Sequence, residues 1–130
     1  MLTFLKAVLC IPILEGYGQT ETTGAAFSTH AEDGDVGHVG GTRGHMEFKL
    51  VDIPEMGYHS TDRDLEGNLA PRGEICVRGN GVFAGYYKEK DKTNEILIND
   101  WIHSGDVGRL NPKKGSITII DRKKNLFKLS

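Results

Sequence analysis

Leu14-Glu15-Gly16-Tyr17-Gly18-Gln19-Thr20-Glu21-Thr22-Thr23-Gly24, LEGYGQTETTG, is the stretch on which the fold turns. A plain surface turn needs a glycine or an asparagine, and this segment offers far more. Backbone N–H groups freed by its glycines can hold phosphate oxygens, and Thr20, Thr22 and Thr23 add hydroxyl donors. Glu21 can hold a Mg²⁺ that neutralises those phosphates, and Tyr17 can stack on a base. Taken alone, a glycine-rich turn capped by Thr22 accounts for the stretch equally well. Either way LEGYGQTE is expected to be a loop leaving a short buried strand, Ile11 to Leu14.

Upstream, Leu2, Leu5 and Leu9 recur at helical spacing, so a short amphipathic helix is expected over Leu2 to Leu9. Lys6 and Pro12 interrupt this apolar opening, which is too short to span a bilayer, and no small-residue cleavage site follows it. Downstream, HAEDGDVGHVGGTRG (30–44) is loop-like and MEFKLVD (46–52) alternates as a half-buried strand. Residues 53–72 are polar and turn-rich, GEICVR (73–78) is another strand, and 88–97 suits a polar helix. Asp106 to Leu110 and Ser116 to Ile120 read as antiparallel strands around NPKKG, where Pro112 and Gly115 supply the reversal. About five strands and two or three short helices follow from these patterns. Strands dominate after Gly44, so that half is expected to be a small barrel or curled sheet.

The chain has 130 residues, enough for one core, with 38% hydrophobic and 26% charged content. A net charge of −2 gives no bulk electrostatic reason to bind nucleic acid or an acidic membrane. Cys10 and Cys76 are too few and too far apart for a disulfide framework or a zinc site, so a reducing, intracellular setting is the default. His30, His38, His45, His59 and His103 include no i, i+4 pair, and no tightly held structural metal is expected. GNGVFA (79–84) fits a dinucleotide-binding fingerprint, but Gly85 falls in the would-be first helical turn and a hairpin follows instead of a crossover. A turn ending the GEICVR strand is the better account. No G-x-x-x-x-G-K-[ST] loop occurs.

In HSGDVGRL (103–110), Asp106 follows a glycine that is expected to leave its carboxylate accessible. A carboxylate can accept two hydrogen bonds from the vicinal hydroxyls of a ribose. In IIDRKKNLFKL (119–129), Arg122 ends an apolar strand and presents a rigid fork of donors. The competing account is a surface Asp106–Arg122 ion pair across a hairpin.

In order and spacing, EGYGQTE, GEICVRGNGVFAGYYK, DWIHSGDVGRL and IIDRKKNLFKLS resemble the adenylate-forming, AMP-binding enzymes, and among them the long-chain fatty acyl-CoA synthetases. PEMGYHS, PRGEIC and GYYK look like the plant and protist versions. The resemblance implies an α/β fold with a β-rich part. Residues 1–35 would end an α/β subdomain with its adenylate-binding loop, and 36–121 would form a distorted barrel-like subdomain. Residues 122–130 would be a hinge into a C-terminal domain that is not in this sequence. It also implies ATP-dependent ligation of a long-chain fatty acid to coenzyme A through an acyl-adenylate, with Mg²⁺ required and no nucleic acid. By the family pattern Tyr17 packs against adenine, with Gly16 and Gly18 close to the adenylate. Thr20 contacts phosphate and Glu21 holds Mg²⁺. Asp106 binds the ribose with Arg122 beside it, Lys124 is the hinge, and Lys128 lies near the phosphate or acyl group. Tyr17, Glu21, Asp106 and Arg122 are expected to converge on one cleft. The family's phosphate loop is not among these residues, so the chain alone is expected to be inactive. The alternatives are a nucleotide-binding module without turnover and another acyl- or aryl-CoA ligase. Location at the cytoplasmic face of the endoplasmic reticulum or another membrane is implied for the whole enzyme. The chain departs from the family at GGTRG (40–44), where prolines are usual, at Asp100 for glycine and at Ser104 for threonine.

Overall fold

The computed structural model describes residues 1–123. The order is α1 (Leu2–Leu9), β1 (Gly16–Gln19), a single 3₁₀ turn (Thr20–Thr22), β2 (Gly24–Ser28), β3 (Gly41–Thr42) and β4 (Met46–Val51). A second 3₁₀ turn (Pro54–Met56), β5 (Arg72–Gly79), α2 (Lys90–Ile96), β6 (Leu97–Ile98), β7 (Trp101–Asn111) and β8 (Ser116–Arg122) follow. The strands form two antiparallel sheets, β1-β2-β3 and β4-β5-β7-β6, with β8 on β7. Opposite β5, the long β7 carries two strands on one edge: β6 pairs its start and β8 its second half. The chain is β-rich with few helices, as expected, and β7 and β8 pair antiparallel around the Asn111–Gly115 reversal.

Two expectations near the N-terminus are corrected. Residues 11–14 form no strand: Ile11 and Leu14 stay exposed, and no described strand pairs with them. An apolar tetrapeptide without a partner ladder has nothing to hold it extended. LEGYGQTE is not a loop either, since Gly16 to Gln19 pairs with Gly24 to Ser28 as a hairpin closed by the Thr20–Thr22 turn. α1 forms where its spacing puts it, but none of its residues is buried.

The core holds Ala26, Phe27, Met46, Ile75, Val77, Ile102 and Ile117, drawn from both sheets. Phe27 is its aromatic centre, with Tyr17 at 5.9 Å and Phe48 at 5.4 Å between ring centroids. Each ring therefore buries a large apolar area and fixes one sheet against the other. The loop before β3 is stitched to β8 by Val39 N–H to Ile117 O at 2.8 Å and Ile117 N–H to Gly40 O at 2.9 Å.

Two backbone features aim the side chains described below. The β1–β2 hairpin is so tight that a Cβ on Gly18 would fall 1.8 Å from the carbonyl oxygen of Gly24. Only glycine fits there, which accounts for this glycine better than any need for flexibility. On β7, Cys76 pairs with His103 and Glu74 with Val107, so Ser104-Gly105-Asp106 stands opposite Ile75 alone and bulges. Gly105 takes the left-handed φ of 72° that the bulge requires. The buried Glu74 clasps this bulge: its Oε1 accepts the Gly105 N–H at 3.1 Å, while Oε2 meets His103 Nδ1 and Lys123 Nζ, each at 3.1 Å.

Burial is the largest influence on the Glu74 carboxyl and pushes its pKa up, but His103 and Lys123 together outweigh it and leave it below its ordinary value. A carboxyl depressed on folding stabilises the fold above its unfolded pKa, and that contribution is lost as pH falls. Thermal melting should therefore show stability declining as pH drops through about 4.5 and below, with a flatter acid limb in Glu74→Gln. Parallel acid limbs would remove Glu74 from this role. Gly18→Ala should lower stability by about 1–3 kcal/mol in chemical denaturation, because backbone must shift to admit the methyl group.

Candidate functional site

Strand alternation puts Tyr17 and Gln19 on one face of β1, with Gly16 and Gly18 on the other. The Tyr17 hydroxyl donates to Asp106 Oδ2 at 2.7 Å, and Gln19 Nε2 donates to the same oxygen at 2.9 Å. Gln19 Nε2 also reaches Tyr17 Oη at 3.2 Å and the Ser104 carbonyl at 3.0 Å. From β8, Arg122 Nε donates to Asp106 Oδ1 at 2.8 Å. Asp106 thus ties β1 to β7 and β8, although 89 residues separate it from Tyr17.

Asp106 is only 6% exposed, which corrects the expectation of an accessible carboxylate at a strand start. It lies inside β7, and the bulge at Gly105 turns it inward toward Tyr17. The ion pair with Arg122 exists, since the two are register partners, but it is not a plain surface pair: Arg122 is 67% exposed and Asp106 8% by side chain. Burial first, and the Asp106 carboxylate with it, pushes the Tyr17 phenol well above its ordinary value. Tyr17 therefore stays a protonated donor across the working pH range. Its ring leans on Phe27 with an interplanar angle of 56°.

Beside this cluster lies an open cleft of about 630 Å³ lined by Gln19, Thr20, Glu21, Tyr86, Ser104 and Arg122, among others. Glu21 reaches the cleft because its carbonyl accepts the Phe83 N–H at 2.9 Å, locking the 3₁₀ turn to the segment after β5. The Tyr86 hydroxyl then donates to Glu21 Oε1, and that bond raises the Tyr86 pKa. Thr20 lines the cleft. Thr22 and Thr23 do not serve as free donors: Thr22 Oγ1 bonds Gln19 and Gly24 backbone, and Thr23 Oγ1 bonds the Gly81 carbonyl at 2.8 Å. Glu21 and Arg122 face the cleft, Asp106 and Tyr17 stand behind its wall, and Gly16 and Gly18 lie outside its lining. Lys124 and Lys128 fall outside the described residues.

Sequence reasoning passed over Gln19, Glu74 and Tyr86. Had β1 been read as a strand, the two-residue period from Tyr17 would have put Gln19 on the same face. A charged residue inside the apolar stretch around Ile75 was a signal for Glu74, because a buried charge needs partners. Nothing local marked Tyr86.

The family described as "AMP-binding enzyme" matches residues 1–87. Fatty acyl-CoA synthetase A of Dictyostelium discoideum is 51% identical over 128 residues, 98% of this chain and 18% of that protein. The peroxisomal long chain acyl-CoA synthetase 7 of Arabidopsis thaliana is 47% identical over 131 residues, 100% of this chain and 18% of that one. The chain thus spans about a fifth of the length of these relatives. Among solved structures, the A-PCP didomain of carboxylic acid reductase from Segniliparus rugosus, in complex with AMP, is similar over 95% of this chain and 16% of that one. Its TM-score is 0.73 at 32% identity. With the family pattern covering two thirds of the residues, and the same fold carried by a protein that holds AMP, the chain belongs to the AMP-binding enzyme family.

Proposed function

We propose that this chain forms the nucleotide-facing part of an ATP-dependent long-chain fatty acid–CoA ligase. The observation that carries it is the Tyr17–Gln19–Asp106–Arg122 cluster beside a cleft walled by Thr20 and Glu21. In this reading residues 1–35 close an α/β unit, 36–121 form the barrel-like unit, and 122–130 are the hinge, with Lys124 in it. The fatty acid carboxylate displaces pyrophosphate from ATP to give an acyl-adenylate, and the thiol of coenzyme A then releases AMP. Positioning and electrostatic stabilisation carry most of such a rate, so what matters is how these side chains are held.

Asp106 is the ribose acceptor. A carboxylate has about four lone-pair sites, and Tyr17, Gln19 and Arg122 take three of them. Two ribose hydroxyls therefore need one protein donor to give way. Arg122, the exposed partner, is free to swing toward the nucleotide while Tyr17 and Gln19 keep the carboxylate aimed. The family pattern puts adenine near Tyr17, Gly16 and Gly18, which stand outside the cleft lining, and the Thr20 hydroxyl on the cleft wall meets a phosphate oxygen. Glu21 fits Mg²⁺, since it is a hard oxygen donor on the cleft wall held in place by Tyr86. When bound, that ion neutralises phosphate charge. Lys128 acts near the acyl-adenylate. No described helix is long and apolar enough to cross a membrane. The names of relatives, some of them peroxisomal, support an intracellular setting for the whole protein, at the cytoplasmic face of the endoplasmic reticulum or another membrane.

Isothermal titration of Mg-ATP into the full-length enzyme separates this reading from a merely structural cluster. Asp106→Asn keeps the shape and should weaken binding about 10- to 100-fold, as expected when charge-assisted hydrogen bonds of about 1.5–3 kcal/mol are lost. The exposed Arg122→Ala should weaken it less. In the full-length enzyme, Glu21→Ala should slow the Mg²⁺-dependent adenylation step, followed by pyrophosphate release, more than it lowers ATP affinity. Equal ATP affinity in wild type and a folded Asp106→Asn would sink the ribose assignment.

A further inference from the structure

Below the Asp106 cluster, the sheet brings together three side chains that the nucleotide chemistry does not use. Glu74 and Cys76 are two apart on β5 and so share a face, and Cys76 is the register partner of His103 on β7. Cys76 Sγ lies 3.4 Å from His103 Nδ1, and His103 Nδ1 lies 3.1 Å from Glu74 Oε2. All three ligand atoms fall within 4.8 Å of one another. Glu74 and His103 line the cleft, giving a route in, while Cys76 is fully buried behind them.

We infer that Glu74, Cys76 and His103 form a binding site for a thiophilic divalent cation of the zinc class. A tetrahedral ion with Zn–S near 2.3 Å and Zn–N or Zn–O near 2.0–2.1 Å sets its ligands about 3.6 Å (S to N) and about 3.3 Å (N to O) apart. Both gaps here are shorter by about 0.2 Å, a shift that side-chain rotation covers. One thiolate, one imidazole and one carboxylate are a soft, zinc-type set and not a magnesium set. Three protein ligands leave a fourth position for water, the count of an open zinc site.

Without metal, a proton and an ammonium group hold the cluster together. A proton on Nδ1 bridges to the Glu74 carboxylate, and Lys123 Nζ caps Glu74 Oε2 at 3.1 Å. Burial, with the Glu74 charge added, pushes the Cys76 thiol up to about 12, so it is not an open nucleophile. A bound dication reverses that balance and takes the thiol proton into solvent. To ligate through Nδ1 the imidazole also gives up the proton held there and takes the tautomer protonated on Nε2, while Lys123, 46% exposed, moves out to water. The Gly105 N–H bond to Glu74 Oε1 can persist, so the ion would brace the bulge that carries Asp106.

Co²⁺ is the probe, added to the chain in a Cys10→Ser background so that the exposed thiol cannot contribute. One equivalent should give a thiolate-to-cobalt charge-transfer band with tetrahedral visible absorption, and Zn²⁺ should bleach it. The band should vanish in Cys76→Ser and in the partly exposed His103→Asn, each checked for folding by circular dichroism. Lys123→Met removes the competing ammonium and should tighten Co²⁺ binding several-fold, a gain that misfolding does not produce. The absence of a thiolate band, its survival in folded His103→Asn, or unchanged affinity in Lys123→Met would overturn the three-ligand site.

Discussion

A buried carboxylate organises this protein. Asp106 is almost fully removed from water, and a charge in that position is tolerated only when donors surround it. Its donors come from two strands, Tyr17 and Gln19 from β1 and Arg122 from β8, while β7 carries the carboxylate itself. The sheet of β1-β2-β3 and the sheet around β7 are thus fastened at a polar point, while Phe27 and its aromatic neighbours fasten them at an apolar one. The two joints have different tolerances. Apolar packing accepts small shifts, whereas three hydrogen bonds on one carboxylate fix distance and angle together.

The backbone irregularities serve that joint. A regular β7 would alternate its side chains without interruption, and the bulge at Ser104–Asp106 breaks this alternation and turns the carboxylate inward. Glu74 holds the bulge through the Gly105 N–H, and the Ser104 hydroxyl accepts the Asp106 N–H at 3.1 Å. On the opposite side, the close approach at Gly18 draws the hairpin tight enough for Gln19 to reach both the Ser104 carbonyl and Asp106. Each feature looks like a local oddity in isolation. Together they aim one oxygen-rich group at one cleft.

The cleft wall divides by ligand softness. Toward Glu21 and Thr20 it offers hard oxygens and hydroxyls, suited to phosphate and magnesium. Toward His103 it offers imidazole, with the Cys76 sulfur buried behind it, a pair suited to softer ions. Arg122 and Lys123, adjacent at the end of β8, serve one side each, pairing with Asp106 and with Glu74. A single strand end therefore distributes its positive charge between two acidic groups, and moving either side chain changes the field felt by both.

The sequence by itself determined the periodic and the punctuated parts. Alternation in 46–52 and 73–78, the turn chemistry of NPKKG, and the helical spacing of Leu2, Leu5 and Leu9 are local properties, and the structure has those elements. The order of motifs was enough to mark the family, because each residue type carries its chemistry wherever it sits. What the sequence left open were matters of partnership. Ile11 to Leu14 read as a strand because apolar runs favour one, yet a strand exists only beside another. LEGYGQ read as a loop because glycines suggest one, yet pairing with β2 made it a strand and Gly18 its closest contact. The burial of Asp106, the joining of Gln19 to it and the meeting of Cys76 with His103 across 27 residues depend on strand register. Register follows from the summed fit of many side chains on both faces of a sheet, so no short window of sequence contains it.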